Sequence, residues 1–234
     1  MTNIKPLGFK AYGSIPHLPE SRLGSGDHQC NPGHARIATR KTRDRHDQVI
    51  AQEKLDGSNV AIANIDGVIV PLVRSGYVAT SSPYRQHHLF SNWVYGQTDR
   101  FLSLLNPGER LCGEWLAQAH GTRYALTHEP FVAFDLMVGQ TRLPYAEFIA
   151  RTGRIEIIPP TLLHNAPTAF SVQQAIRALA VSGHGAIDPV EGAVWRVERN
   201  GAVEFLVKYV HPNKTDGCYL SEVANQPEVW NINI

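Results

Sequence analysis

The sequence predicts an α+β domain, an antiparallel sheet built from hairpins with helices covering one side. Three observations carry this. Two dipeptides, Asp66-Gly67 and Asn200-Gly201, each separate alternating apolar runs; two stretches show helical apolar spacing; and Gly and Pro are scattered as turn punctuation, without repeat, linker or low-complexity tract. With 234 residues the chain can bury a sizeable core, and one domain spanning 1–234 is the expectation.

Taken in order, residues 13–33 carry Gly13, Pro16, Pro19, Gly24, Gly26, Pro32 and Gly33 and read as an irregular arm, about 1–35 in full. A basic stretch follows, with Arg36, Arg40, Lys41, Arg43 and Arg45 against Asp44 and Asp47. From Asn59 to Val73 the apolar positions Val60, Ile62, Ile65, Val68, Val70 and Leu72 flank Asp66-Gly67, a hairpin signal because both turn residues must take positive φ. Lys54 stands just before that hairpin. Further strands are predicted at Arg110–Leu116, Phe131–Val138 and Arg154–Ile158.

Leu89, Phe90, Trp93 and Val94, then Phe101, Leu102 and Leu105, mark a helical face over 86–105 broken near Gly96. A second helix over 172–181 starts at the capping box Ser171…Gln174, places Val172, Ile176, Leu179 and Ala180 on one face, and stops at Gly183. Around Asn200-Gly201 a two-residue turn pairs position i with 401 − i, so Ala193 faces Lys208 and Glu191 faces Val210. Glu191 and Lys208 would then be diagonal neighbours on one face, about 7–8 Å apart at Cα. A bulge would break this register.

Composition narrows the function classes. Net charge is 22 − 21 = +1, with 43% hydrophobic and 18% charged residues, which excludes a disordered tail or a protein that coats polyanions in bulk. Nucleic-acid contact has to come from local charge. The three cysteines, Cys30, Cys112 and Cys218, are odd in number and too widely spaced for a zinc knuckle. His87-His88, His120 and His128 lack the further ligands of a tetrahedral set; no zinc is expected, and these histidines read as surface or nucleic-acid-facing. The N-terminus, Met1 to Pro6, has no apolar secretory core and no stretch is apolar for the ~20 residues that span a bilayer, so a soluble, cytoplasmic protein is expected.

Glu53-Lys54-Leu55-Asp56-Gly57-Ser58-Asn59 puts a lysine in a glycine-containing turn leading into a strand. By itself this is an exposed turn lysine. The alternative is a nucleophile, which requires neighbouring cations or desolvation to favour the neutral amine. Lys54-Leu55-Asp56-Gly57 resembles the nucleotidyl-acceptor motif of the covalent nucleotidyltransferases, the ATP-dependent RNA and DNA ligases and the mRNA capping enzymes. The later motifs follow in order: Arg74 in Val73-Arg74-Ser75-Gly76, Glu114 in Cys112-Gly113-Glu114-Trp115-Leu116, Phe134-Asp135, Glu191-Gly192-Ala193-Val194-Trp195, and Phe205-Leu206-Val207-Lys208-Tyr209. The co-linear order over residues 53–209 is more specific than any one motif. Ser58-Asn59 is similar to the RNA ligase branch that seals breaks in double-stranded RNA and includes the RNA editing ligases.

The resemblance implies an antiparallel-sheet nucleotidyltransferase domain with flanking helices that joins 5′-phosphate and 3′-hydroxyl RNA ends, with ATP and Mg²⁺, or Mn²⁺, as cofactors. Lys54 would attack the α-phosphate of ATP, expel pyrophosphate and hold AMP; Lys208 would contact the α-phosphate. Glu114 would bind the ribose hydroxyls, Arg74 ribose or phosphate, and Phe134 the adenine face, with Glu53 beside the adenine. Glu191 and Asn59 would hold a hydrated metal. The plain readings are a core position for Phe134, a cross-strand ion pair for Glu191 and Lys208, and a structural role for Asp135.

The basic run Arg36–Arg45 is either a solvated face or a phosphate-contacting strip, and its nearness to Lys54 in sequence favours the strip. Where many family members carry two lysines in the last motif this chain has one, Lys208, with Lys214 as the candidate for the missing charge. The 26 residues after Lys208 (234 − 208) are too few for an appended OB-fold domain. RNA is the expected partner, as nicked duplex or RNA/DNA hybrid, with an end-processing protein as a second. The alternatives are a small DNA ligase, an RNA 5′-adenylating enzyme, or an end-binding module that has lost catalysis.

Overall fold

The computed structural model describes residues 5–233; Met1–Ile4, on which part of the reading of the N-terminus rests, and Ile234 lie outside them. In chain order the elements are α1 (Pro32–Thr39), β1 (Asp47–Lys54), β2 (Ser58–Ile65), β3 (Val68–Val73), α2 (Arg85–Tyr95), α3 (Thr98–Leu104), β4 (Glu109–Trp115), β5 (Phe131–Val138), β6 (Thr141–Arg142), α4 (Tyr145–Gly153), β7 (Leu162–Ala166), α5 (Val172–Ala178), β8 (Gly192–Arg199), β9 (Ala202–Val210) and α6 (Ser221–Ala224). The class is α+β, with two antiparallel sheets of strand order β3-β2-β4-β5-β6 and β7-β1-β8-β9. The chain groups into two compact units. One holds the residues up to Gly13, Ser58–Gln118 and Glu129–Pro159; the other holds Ser14–Gly57, Ala119–His128 and the residues from Pro160 on.

The first unit contains the five-stranded sheet. Ile65 and Val68 pair across Asp66-Gly67, whose φ values of 50° and 87° are those the dipeptide was expected to adopt. Pro71, which cannot donate to a ladder, falls on the edge strand β3, where this is tolerated. Gly96 closes α2 and separates it from α3 as the spacing predicts. The two helices bring Phe90, Trp93 and Phe101 against Trp115 and Phe131, with ring centroids 5.4–6.4 Å apart. Such pairs add about 0.5–1.5 kcal/mol each beyond their buried area.

The strand expected at Arg154–Ile158 does not form. Its amides turn back onto the end of α4, Arg154 N–H to Arg151 O and both Ile155 and Ile157 N–H to Thr152 O, with Glu156 at φ 55°. Alternating isoleucines there record a helix C-terminus, because the last carbonyls of α4 capture the donors a strand would need.

In the second unit, Val49, Ala51, Ala193, Trp195, Val197, Val207 and Tyr209 line one face of the four-stranded sheet and pack with Ala35 and Ala38 of α1, Ala175 and Leu179, and Phe170. The Ser171–Gln174 capping box is present, but α5 ends at Ala178, so Gly183 is not its stop. Its buried face is Ala175 and Leu179, and Ile176, expected inward, is exposed. The arm before α1 is irregular yet tied down: His17 bridges Lys208 in parallel, and Leu18 N–H donates to Lys208 O at 2.7 Å.

The β8–β9 register differs from the 401 − i rule. Arg199↔Ala202 and Glu198↔Val203 obey it, but Val197 pairs with Phe205, so Glu204 is an extra residue and every later pair is displaced by one. Val194, not Ala193, faces Lys208, and Gly192, not Glu191, faces Val210. This is a β-bulge, which a period-2 reading cannot locate. No helix among the described residues is long and apolar enough to cross a membrane.

Candidate active site

The register of β1, β8 and β9 fixes where the lysines stand. Lys54, Gly192 and Val210 form one row, and Lys208 lies two residues from Val210 on β9. Both lysines therefore leave the sheet on the face opposite the Trp195 core. Gly192 between them projects nothing, and a Cβ there would come within 1.9 Å of Tyr209 O.

Strand alternation alone would send Glu191 to the other face from Lys208. The backbone departs from alternation at Gly192, φ +156°, and the Glu191 carboxylate instead meets the Lys54 ammonium, Oε2 to Nζ 2.5 Å. The Lys54 side chain is 21% exposed and that of Glu191 11%. Burial pushes the Glu191 carboxyl up from its ordinary range, against the pull of Lys54. The sequence-based pairing of Glu191 with Lys208 is corrected: Glu191 holds Lys54, and Lys208 reaches Asp27 Oδ1 at 3.6 Å.

Asp27 was not singled out by any local pattern; it lies in the irregular arm. Its other oxygen is 3.1 Å from His17 Nε2, and His17 Nδ1 meets Ser21 Oγ at 2.7 Å. Burial and the charge of Lys208 lower the His17 pKa. Although burial opposes it, the Gly24 amide, Lys208 and His17 together hold the Asp27 carboxyl below its usual range.

Glu53 is on the core face of β1 and 2% exposed. Its amide donates to Thr161 O at 2.9 Å, and its carboxylate accepts from Thr161 Oγ1 and, at 2.5 Å, from Ser182 Oγ. Asp56, two residues after Lys54, is a hub. Its Oδ2 accepts from Gly121 N–H at 3.0 Å and Thr122 Oγ1 at 3.3 Å, and its own amide donates to Tyr124 Oη at 3.0 Å.

The first unit gathers the remaining predicted residues at one end of its sheet. Asn59 pairs with Glu114 across β2 and β4, and the Arg74 amide donates to Asn59 O at 3.1 Å. Arg74, Asn59 and Glu114 thus form a row across the ends of β3, β2 and β4, and Glu114 continues it to Val132 of β5. Phe134 is the unpaired residue of a second bulge, since Cys112 pairs with Asp135 but Gly113 with Ala133. It is only half-buried and meets Tyr12 edge-on at 5.0 Å, so it is not the core residue that its spacing implied. Asp135 is fully buried, accepts from Tyr12 Oη at 2.5 Å and pairs with Arg142 at 3.0 Å, a structural role as expected.

Oxygen donors suited to a hard cation are present in both units. Glu191 is a buried carboxylate, and Asn59 Oδ1 is a buried acceptor without a hydrogen-bond donor. Among the described residues no group of three or more His, Cys, Asp or Glu is arranged to hold a metal ion. His87, expected at the surface, is buried between Ser58 Oγ at 2.7 Å and Ser82 Oγ at 2.6 Å. His128 Nε2 and His184 Nδ1 are 3.0 Å apart.

Residues 47–210 match the RNA ligase family. The chain belongs to that family. No curated protein matches it in sequence. Among solved structures it is similar to an archaeal ATP-dependent RNA ligase, 21% identical with TM-score 0.51 over 85% of this chain and 48% of the other. It is also similar to a variant of Naegleria gruberi RNA ligase with ATP and Mn, 16% identical with TM-score 0.52 over 70% of this chain and 50% of the other. The same enzyme with PPi gives 16% identity and TM-score 0.50 over 77% and 53%. This chain spans about half the length of those proteins, and at these identities the likeness establishes the fold they share.

Proposed function

We propose that the chain is an ATP-dependent polynucleotide ligase acting on RNA, working through a lysyl-AMP intermediate. The observation that carries this is the Lys54 ammonium at the end of β1, held by a buried carboxylate on the same sheet face as Lys208, inside the stretch that matches the family.

In the chemistry we infer, Lys54 Nζ attacks the α-phosphorus of ATP. Lys54 first sheds one proton to solvent to become the neutral amine. A P–N bond then forms, the bond from the α-phosphorus to the bridging oxygen breaks, pyrophosphate leaves with that electron pair, and a second proton passes from the nitrogen to solvent. Glu191 neutralises Lys54 in the nucleotide-free chain, which favours the charged amine, so that pair has to open before attack. Lys208 would exchange Asp27 for the α-phosphate. Glu191 and Asn59 would hold the divalent cation, which when bound offsets phosphate charge and disfavours the ammonium form of a nearby lysine. Glu114 and Arg74 would take the ribose and phosphate, Phe134 the adenine face, and Glu53 the adenine edge through its backbone. AMP would then pass to an RNA 5′-phosphate, and a 3′-hydroxyl would displace it to seal the strand.

Incubation with ATP and Mg²⁺ or Mn²⁺ is expected to add the mass of one AMP to the intact protein, and Lys54→Ala to abolish the addition. An unmodified mass with every metal rejects the proposal. Sealing of nicked duplexes carrying RNA or DNA at the 3′-hydroxyl side then separates an RNA ligase from a DNA ligase.

A further inference from the structure

Lys214 is the lysine that chain order alone left as a candidate second phosphate ligand, and its surroundings give it different work. Only 7% exposed, it directs Nζ to Gly121 O at 2.7 Å, Pro189 O at 3.2 Å and the Thr122 hydroxyl oxygen, with Asp56 Oδ2 at 3.2 Å. An ammonium has three N–H donors, and here four oxygens enclose them. Turning any of them to a phosphate would take a donor from one of these enclosed oxygens.

The oxygens that Lys214 gathers belong to three separate stretches of chain. Asp56 is two residues after Lys54, Pro189 is two residues before Glu191, and Gly121-Thr122 braces Asp56 through its own amide and hydroxyl. The approach is close: a Cβ on Gly121 would come within 2.5 Å of Thr215 O and 2.7 Å of Asp56 Oδ2. We infer that Lys214 is a positioning residue for adenylyl transfer, tying the turn that carries Lys54 to the segment that delivers Glu191 without itself touching nucleotide. This rests on the functional reading above. Attack by an amine tolerates little misplacement, and an error of about 1 Å in a reacting group can cost about a hundredfold in rate.

The test is single-turnover formation of the AMP adduct at varied ATP, with thermal melting of each variant alongside. Lys214→Met is expected to lower the maximal rate about a hundredfold while half-saturating ATP stays within about twofold. Thr122→Val, which removes the hydroxyl that accepts from Lys214 and donates to Asp56 but keeps the ammonium, is expected to lower the maximal rate by less, about three- to tenfold, with the same constancy in ATP. A variant that keeps its maximal rate but needs more than about tenfold more ATP would make Lys214 a direct nucleotide ligand and overturn the inference; so would no change in either quantity. If Lys214→Met does not melt cooperatively, Thr122→Val decides by the same split. An unvaried chain that forms no adduct overturns the functional reading and this inference with it.

Discussion

His184 is 4% exposed, and burial together with His128 lowers its pKa to about 4 from an ordinary 6.5. A histidine that resists protonation when folded contributes stability that is fully present above its unfolded pKa and is lost as pH falls through the window down to the folded value. Stability should therefore decline from about pH 6.5 towards pH 4, and His184→Gln should flatten that arm of the profile in thermal melts taken across the window. Asp188 acts lower down. Hydrogen bonds from Arg123 hold its carboxyl at about 2, below the ordinary 3.8, so its contribution is full above about pH 3.8 and is lost as pH falls from there to about 2. The separation of windows lets the two groups be told apart: Asp188→Asn should leave the profile above pH 5 unaltered.

Among elements, the bulges decide more than the strands do. One extra residue at Glu204 moves Lys208 opposite Val194, and one at Phe134 takes an aromatic ring out of its expected core position beside the Glu114 row. Gly192 is the point on which the lysine-bearing face depends, since it lets β8 approach Tyr209 O and re-aims Glu191 toward Lys54. Gly192→Ala forces a Cβ to within 1.9 Å of a backbone oxygen that cannot swing aside. The expected cost is on the order of 2–4 kcal/mol, measured by denaturant unfolding, with loss of adduct formation in whatever folds. A stable, fully active Gly192→Ala would show that the backbone there is not constrained as described. The capping box of α5 and both Gly-containing hairpin turns, by contrast, were legible because each is specified within four residues of sequence.

For the whole molecule, net charge near zero leaves recognition of a polyanion to local clusters. Arg36, Arg40, Lys41, Arg43 and Arg45 are all exposed, in α1 and the loop that leads into β1. If this strip meets RNA phosphates, changing Arg40, Lys41 and Arg43 to Glu should weaken RNA binding and flatten the dependence of log K on log salt by about 0.7–0.9 per phosphate contact removed. An unchanged slope identifies the strip as a solvated face.

The sequence by itself determined the α+β class, both hairpins, the broken helix at Gly96 and the motif order that marks the family, because each is encoded by neighbouring residues or by their order along the chain. Tertiary structure alone decided that Glu191 answers Lys54, that Asp27 answers Lys208 and that Lys214 is enclosed by Asp56, Gly121, Thr122 and Pro189. Those partners come from distant stretches and are selected by bulges and by the need of each buried charge for a counter-charge. That requirement has no period, spacing or local signature in a sequence.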